Sequence, residues 1–159
     1  MRQDPDVMLL GEIRDEETAH IAVRAAITGH LVLSTLHTND AVTSIPRLLD
    51  FNIDRFMLSS SLLAVVAQRL VRKLCPNCME EYEVTEEEFN AIELSEVEKK
   101  FIDMSLLKRA YRAKTCDSCE TGYIGRTVVG EIMIVNDEIR ELISEESTMG
   151  KLKVAAIKN

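Results

Sequence analysis

The four cysteines of this chain come in two C-x-x-C pairs, Cys75-Pro76-Asn77-Cys78 and Cys116-Asp117-Ser118-Cys119, and no other feature restricts its folding as tightly. A C-x-x-C turn brings two sulfurs to one point. Two such turns together supply the tetrahedral four-sulfur set that structural zinc prefers. If both turns serve one ion, the segment from Cys78 to Cys116 is a loop closed at its base. Two disulfides or four unrelated thiols are the alternatives, and disulfides suit an oxidising compartment rather than a cytoplasmic one. Four thiolates fill the coordination shell, so such a metal would be structural and would activate no water.

Ahead of the cysteines the chain reads as alternating strand and helix. Val7-Met8-Leu9-Leu10 is an unbroken apolar run, the pattern of a strand covered on both faces, and it stops at Gly11. The first charged side chain past its end is Glu12. In a parallel sheet that end opens on the ligand crevice, where a carboxylate can orient a water or hold a metal ion through its hydration shell. Asp15 is placed to cap a helix from Glu16 to Thr28, with Gly29 as its C′ residue and Ile21, Ala22, Ala25 and Ala26 on the packed face. Leu31 to Leu36 then forms a second strand, ending at His37 much as the first ends at Glu12. Asn39 or Asp40 caps the next helix, which Pro46 kinks or restarts at Ser44. The spacing of Leu62, Leu63, Val66, Leu70 and Leu74 predicts a helix over Ser59 to Leu74.

Two of these stretches carry a family resemblance. Gly11 to Asp15 resembles the Walker B box, and Thr28 to Ala41 the His box, of the secretion ATPase superfamily. The likeness is specifically to the type II secretion and type IV pilus assembly motors, and it runs from Arg2 through Cys78 and resumes at Cys116. The resemblance implies a partial P-loop (RecA-like) ATPase core with an inserted small zinc-binding subdomain. It divides the chain into residues 1–74 (the C-terminal half of the core), 75–126 (the tetracysteine subdomain) and 127–159 (a strand and two short helices). Glu12, His37 and Arg14 then fall at catalytic positions, Gly11, His30 and Thr38 at nucleotide-facing ones, and Cys75, Cys78, Cys116 and Cys119 at zinc. Gly11 stands where many P-loop ATPases place Asp, so Glu12 must act through water. His30 and His37 bracket one strand and therefore lie at its opposite ends, roughly 20 Å apart, which leaves His37 as the phosphate contact. Arg14 reads equally as an ion-pair or intersubunit residue and as a solvated one.

The same resemblance implies ATP and Mg²⁺ as cofactors of the whole protein beside Zn²⁺. It also implies a homohexamer and an inner-membrane platform protein as partner. No G-x-x-x-x-G-K-[ST] occurs in the sequence, so the phosphate-cradling loop is missing, and the chain is expected to be a C-terminal piece that is inactive alone. A net charge of −8 argues against nucleic acid, which needs clustered Lys and Arg. No apolar run is long enough to span a membrane, and Met1 to Pro5 begins no apolar leader, so the expected location is cytoplasmic and peripheral to the inner membrane. Between the cysteine pairs the chain is acidic, with a capping box at Thr85 to Glu88 and a helical stretch expected over Ala91 to Lys108. Two rival readings stand beside the motor: a zinc-stabilised module that docks on the platform protein, and a redox switch built on the thiols.

Overall fold

The computed structural model describes residues 5–92, 94, 98–101 and 108–159. The chain forms two compact units. One runs to Ala67 and is completed by Gly130–Asn159; the other is Gln68–Val129.

The first unit opens on β1 (Val7–Leu10), α1 (Glu16–Ile27) and β2 (Leu31–Ser34), a βαβ unit with the two strands parallel. Val7 pairs with Leu31 and Leu10 with Ser34, which brings the C-terminal ends of both strands to one edge. Helix α1 starts where its cap demands: the Asp15 carboxylate accepts from the Thr18 N–H at 2.8 Å, and Glu16 and Glu17 sit at the positive end of the helix dipole. Gly29, at φ 100°, takes the left-handed conformation that ends the helix. The buried face is Ala19, Ala22, Val23 and Ala25, whereas Ile21 is exposed, against expectation. The expectation that both faces of β1 are covered also fails. Leu9 is 79% exposed and Val7 54%, because the pleat turns alternate residues to opposite faces of a sheet with only two described strands.

Helix α2 (Ser44–Leu49) restarts at Ser44 as the proline predicts, since Pro46 falls in the first turn, where a missing N–H costs nothing. Helix α3 (Arg55–Ser61) is capped by the Asp54 carboxylate, which accepts from the N–H groups of Phe56 and Met57. The predicted helix over Ser59 to Leu74 is a correction: α3 ends at Ser61, and β3 occupies Ala64–Leu74. Val65 and Ala67 face the core while Val66 and Leu70 are exposed, a period of two. Pairing with β6 (Tyr123–Ile134), rich in β-branched residues, overrides the helical spacing of the leucines. Helices α6 (Asp137–Ser144) and α7 (Met149–Lys158) close the unit as expected. Ile45, Leu58, Met133, Ile139, Ile143 and Leu152 form the centre of its core. Around it α3 and α6 are clasped by Arg55–Glu146 at 3.1 Å, by the paired hydroxyls of Ser59 and Ser144, and by the Arg140 guanidinium on the Ser59 carbonyl.

In the second unit, β4 (Glu80–Glu83) and β5 (Arg109–Arg112) make an antiparallel pair, Glu80 opposite Arg112 and Glu83 opposite Arg109. The capping box is present: the Thr85 hydroxyl accepts from the Glu88 N–H, and the Glu88 carboxylate accepts from the Thr85 N–H, opening α4 (Glu86–Asn90). Of the helical stretch expected over Ala91 to Lys108, the described residues form only α5 (Glu98–Phe101). Residues 93, 95–97 and 102–107 lie outside the described set. The Lys108 end is instead hairpin, its carbonyl accepting from the Val84 N–H.

Candidate functional site

The βαβ unit carries Glu12 and His37 past the ends of its two strands, and the backbone beyond those ends stays laced together. The Thr35 hydroxyl donates to the Gly11 carbonyl at 2.7 Å, and the Ile13 N–H donates to the Thr35 carbonyl at 3.0 Å. Between these bonds the two side chains meet: His37 Nε2 lies 2.9 Å from Glu12 Oε1. Arg14 takes the other oxygen, with Nη2 at 2.5 Å and Nε at 2.6 Å from Glu12 Oε2. The hydrogen bond from Arg14 holds the Glu12 carboxyl below the usual range; partial desolvation opposes it, and the charges of Arg14 and His37 add to it. The same bond raises the Arg14 guanidinium.

These shifts define what the group can do. Glu12 is a carboxylate at neutral pH, with one oxygen engaged by a guanidinium and the other by an imidazole. A carboxylate so engaged is a poor proton acceptor, but it is held in one orientation and can still align a water or a hydrated cation. Glu12 is largely shielded, at 19% side-chain exposure, while the His37 ring is 90% exposed and open to a ligand. Gly11 contributes its carbonyl to the lacing, and a Cβ there would meet nothing within 4 Å, so space does not demand glycine.

The remaining positions singled out by sequence lie elsewhere. His30 sits at the start of β2, the far end of the strand from His37, with Nδ1 at 3.1 Å from both the Ala25 carbonyl and the Thr28 hydroxyl. It closes the last turn of α1 and is not brought to the Glu12–His37 pair. Thr38 shapes the turn after the pair: its hydroxyl donates to the Asp40 carbonyl at 3.1 Å and pairs with the Ser44 hydroxyl at 3.0 Å. Asp40 accepts from the Thr43 N–H at 2.7 Å, one turn ahead of α2 rather than as its formal cap. One partner of this loop escaped the sequence reading. The Glu131 carboxylate, on β6, accepts from the Ala41 N–H. Its signal was a lone charge inside the apolar run Val128 to Ile134.

The four cysteines converge. Sγ–Sγ distances are 3.4 Å for Cys78–Cys119, 3.7 Å for Cys116–Cys119 and 4.0 Å for Cys75–Cys116. All four ligand atoms lie within 4.8 Å of one another. Zinc–sulfur bonds of about 2.3 Å in a tetrahedron require sulfurs about 3.8 Å apart, so the donor set fits a zinc ion in number, type and spacing. All four are free thiols and not two disulfides, and their convergence sets aside the alternative of four unrelated thiols. The knuckles are built by backbone bonds: the Met79 N–H donates to the Cys75 carbonyl at 2.9 Å and the Cys119 N–H to the Cys116 carbonyl at 3.0 Å. Burial, followed by hydrogen bonds to the neighbouring thiols, pushes Cys78 up to about 12. At Cys119 burial also raises the thiol, but bonds from Cys78, the Cys116 backbone and the other sulfurs outweigh it and bring it to about 7. Beside the knuckles, Glu80 accepts from Lys114 Nζ at 2.7 Å and Arg112 Nε at 2.8 Å, and the Lys114 bond leads in lowering its carboxyl.

A parallel βαβ unit with a carboxylate–imidazole pair at its strand ends, and a four-thiol centre in a separate unit, define a mixed α/β protein with two chemically distinct sites. The chain belongs to the family described as "Type II/IV secretion system protein", whose model matches residues 1–159. It is 50% identical over 148 residues to "Type II secretion system ATPase E" of Vibrio cholerae, covering 92% of this chain and 28% of that protein. It is 42% identical over 159 residues to "Type IV pilus assembly ATPase TfpB" of Acinetobacter baylyi, covering 99% of this chain and 26% of that protein. The chain therefore spans little more than a quarter of the length of these relatives. The ATPase DotB of Yersinia pseudotuberculosis shares the fold, with a TM-score of 0.57 at 21% identity over 99% of this chain and 29% of that one. Among the described residues no helix is long and apolar enough to cross a membrane.

Proposed function

We propose that this sequence is part of a hexameric motor ATPase that couples ATP hydrolysis to type II secretion or type IV pilus assembly. The observation that carries the reading is the 2.9 Å contact between Glu12 and His37, two residues that share one sheet edge and come from separate strands. In this reading residues 1–74 are the C-terminal half of a P-loop core, 75–126 a zinc subdomain and 127–159 a closing strand and helices. Glu12 aligns the attacking water, Arg14 holds that carboxylate ionised and oriented, and His37 offers its exposed ring to the terminal phosphate. ATP with Mg²⁺, when bound, would supply the phosphoryl group for transfer. Gly11 and Thr38 shape the backbone around the pair; His30, at the other strand end, acts through the α1 terminus or a neighbouring subunit. Cys75, Cys78, Cys116 and Cys119 hold a structural Zn²⁺ with no open position. The partners are the other subunits and an inner-membrane platform protein, which keeps the motor cytoplasmic and peripheral to the membrane.

The sequence holds no G-x-x-x-x-G-K-[ST] segment, so the 159-residue chain alone is inactive and the phosphate cradle comes from outside it. That same absence favours the second reading, a non-catalytic module that docks on the platform protein. The two part on one experiment. In the full-length motor carrying this sequence, Glu12→Gln should lower ATP hydrolysis by about 10²-fold, the cost of a misplaced reactant. Turnover by the isolated chain, or an unaltered rate in the Glu12→Gln motor, overturns the assignment of Glu12.

A further inference from the structure

Gly122 is buried and lies three residues after the second cysteine pair, at the base of both knuckles at once. Its carbonyl accepts from the Cys75 N–H at 2.9 Å. Its own φ is +79°, in the left-handed region where a side chain is strained. A Cβ on Gly122 would fall 2.6 Å from the Lys114 carbonyl oxygen and 2.7 Å from the Ala113 Cβ. The nearer of these obstacles is backbone, so no rotamer change clears it. Lys114 in turn leads through Thr115 into Cys116, and its carbonyl accepts from Cys78 Sγ at 2.7 Å. One residue thus touches the backbone that carries the first knuckle and the backbone that feeds the second.

We infer that Gly122 is a positioning residue of the four-cysteine metal centre, the only residue type that lets the exit of β5 and the start of β6 approach closely enough for both knuckles to face one ion. A side chain at 122 must either push residues 113–114 away or rotate the peptide out of the left-handed region. Either movement draws the Gly122 carbonyl off the Cys75 N–H, and Cys75 is fully buried, so that donor has no water to replace the bond. Metal–sulfur distances tolerate only about ±0.2 Å, so displacement of Cys75 against Cys116 is read directly by the metal. The inference rests on the reading of the four thiols as a metal centre.

Gly125 supplies the internal control. It shares the left-handed conformation, at φ +71°, yet a Cβ there meets nothing within 4 Å. The test is a Co²⁺ titration of the reduced 159-residue chain, followed by the thiolate-to-metal charge-transfer and d–d bands, with Zn²⁺ competition. Gly122→Ala should weaken binding roughly 10–100-fold, the range for groups that support metal ligands, while Gly125→Ala should fall short of that range. Hydrogen exchange of α1 and α6, read on the same samples, should be unchanged in both variants. Equal affinity of Gly122→Ala and the unmodified chain overturns the inference and leaves the metal reading standing. Equal losses in the two variants overturn it by assigning the effect to backbone strain, and loss of protection in α1 and α6 overturns it by assigning Gly122 to global folding. No tetrathiolate spectrum from the unmodified chain overturns both readings.

Discussion

The two units of this chain are held together by different physics. The unit that carries Glu12 and His37 buries a continuous apolar core, with Ile45, Leu58, Ile139 and Ile143 almost wholly out of water. In the unit that carries the cysteines, Cys75 is the one hydrophobic residue that is buried among the described residues. What the second unit has instead is an antiparallel hairpin laced by Glu80–Arg112, Glu80–Lys114 and Glu81–Arg109. Exposed ion pairs of that kind contribute about 0–1 kcal/mol each and do not stand in for an apolar core. In the zinc reading proposed above, the four-thiol centre takes the place of that core. Structural zinc sites supply about 10–16 kcal/mol at neutral pH.

The largest effect that follows is local. Chelation of the metal should abolish hydrogen-exchange protection in β4, β5 and both knuckles while α1, α3 and α6 keep theirs; simultaneous loss in both units would erase the distinction. The converse comes next. Ile139→Ala, at a site with no solvent exposure, should destabilise the first unit by about 2–5 kcal/mol and leave metal content unchanged. Metal loss in that variant would show that the units do not stand apart. The smallest effect concerns the site rather than the scaffold. Glu12 titrates below its unfolded value, so its ionisation stabilises the fold above that value, and the contribution is lost as pH falls through the folded one. Arg14→Ala removes the leading cause and should move the Glu12 midpoint upward in a carboxyl NMR titration. An unmoved midpoint would show that the guanidinium does not hold the carboxylate.

The same contrast explains what the sequence could and could not reveal. Caps and punctuation were legible because they act over a few residues: Asp15, Gly29, Pro46 and the Thr85–Glu88 box all fall where local chemistry puts them. The cysteines were legible because their spacing states its own purpose. The strand at Ala64–Leu74 was not, because its leucines fit a helix and only β6, distant in sequence, selects the extended form. The Glu80–Glu83 strand was hidden in the same way, since its acidic residues become a strand only opposite Arg109–Arg112. Glu131 and its bond to the loop after His37 also depend on that long-range pairing. At the edge where β1 and β2 end, the sequence brought Glu12 and His37 to neighbouring strand ends, and the register of β1 on β2 supplied the contact.

The proposal that Glu12 and His37 work as one unit on bound nucleotide is tested most directly by a double-mutant cycle on ATP hydrolysis. In the full-length motor, Glu12→Gln, His37→Ala and the combination are compared under identical conditions. Residues that act together lose their function once, so the double variant should be scarcely slower than the worse single one. Losses that multiply independently would contradict the claim, however close the two side chains stand.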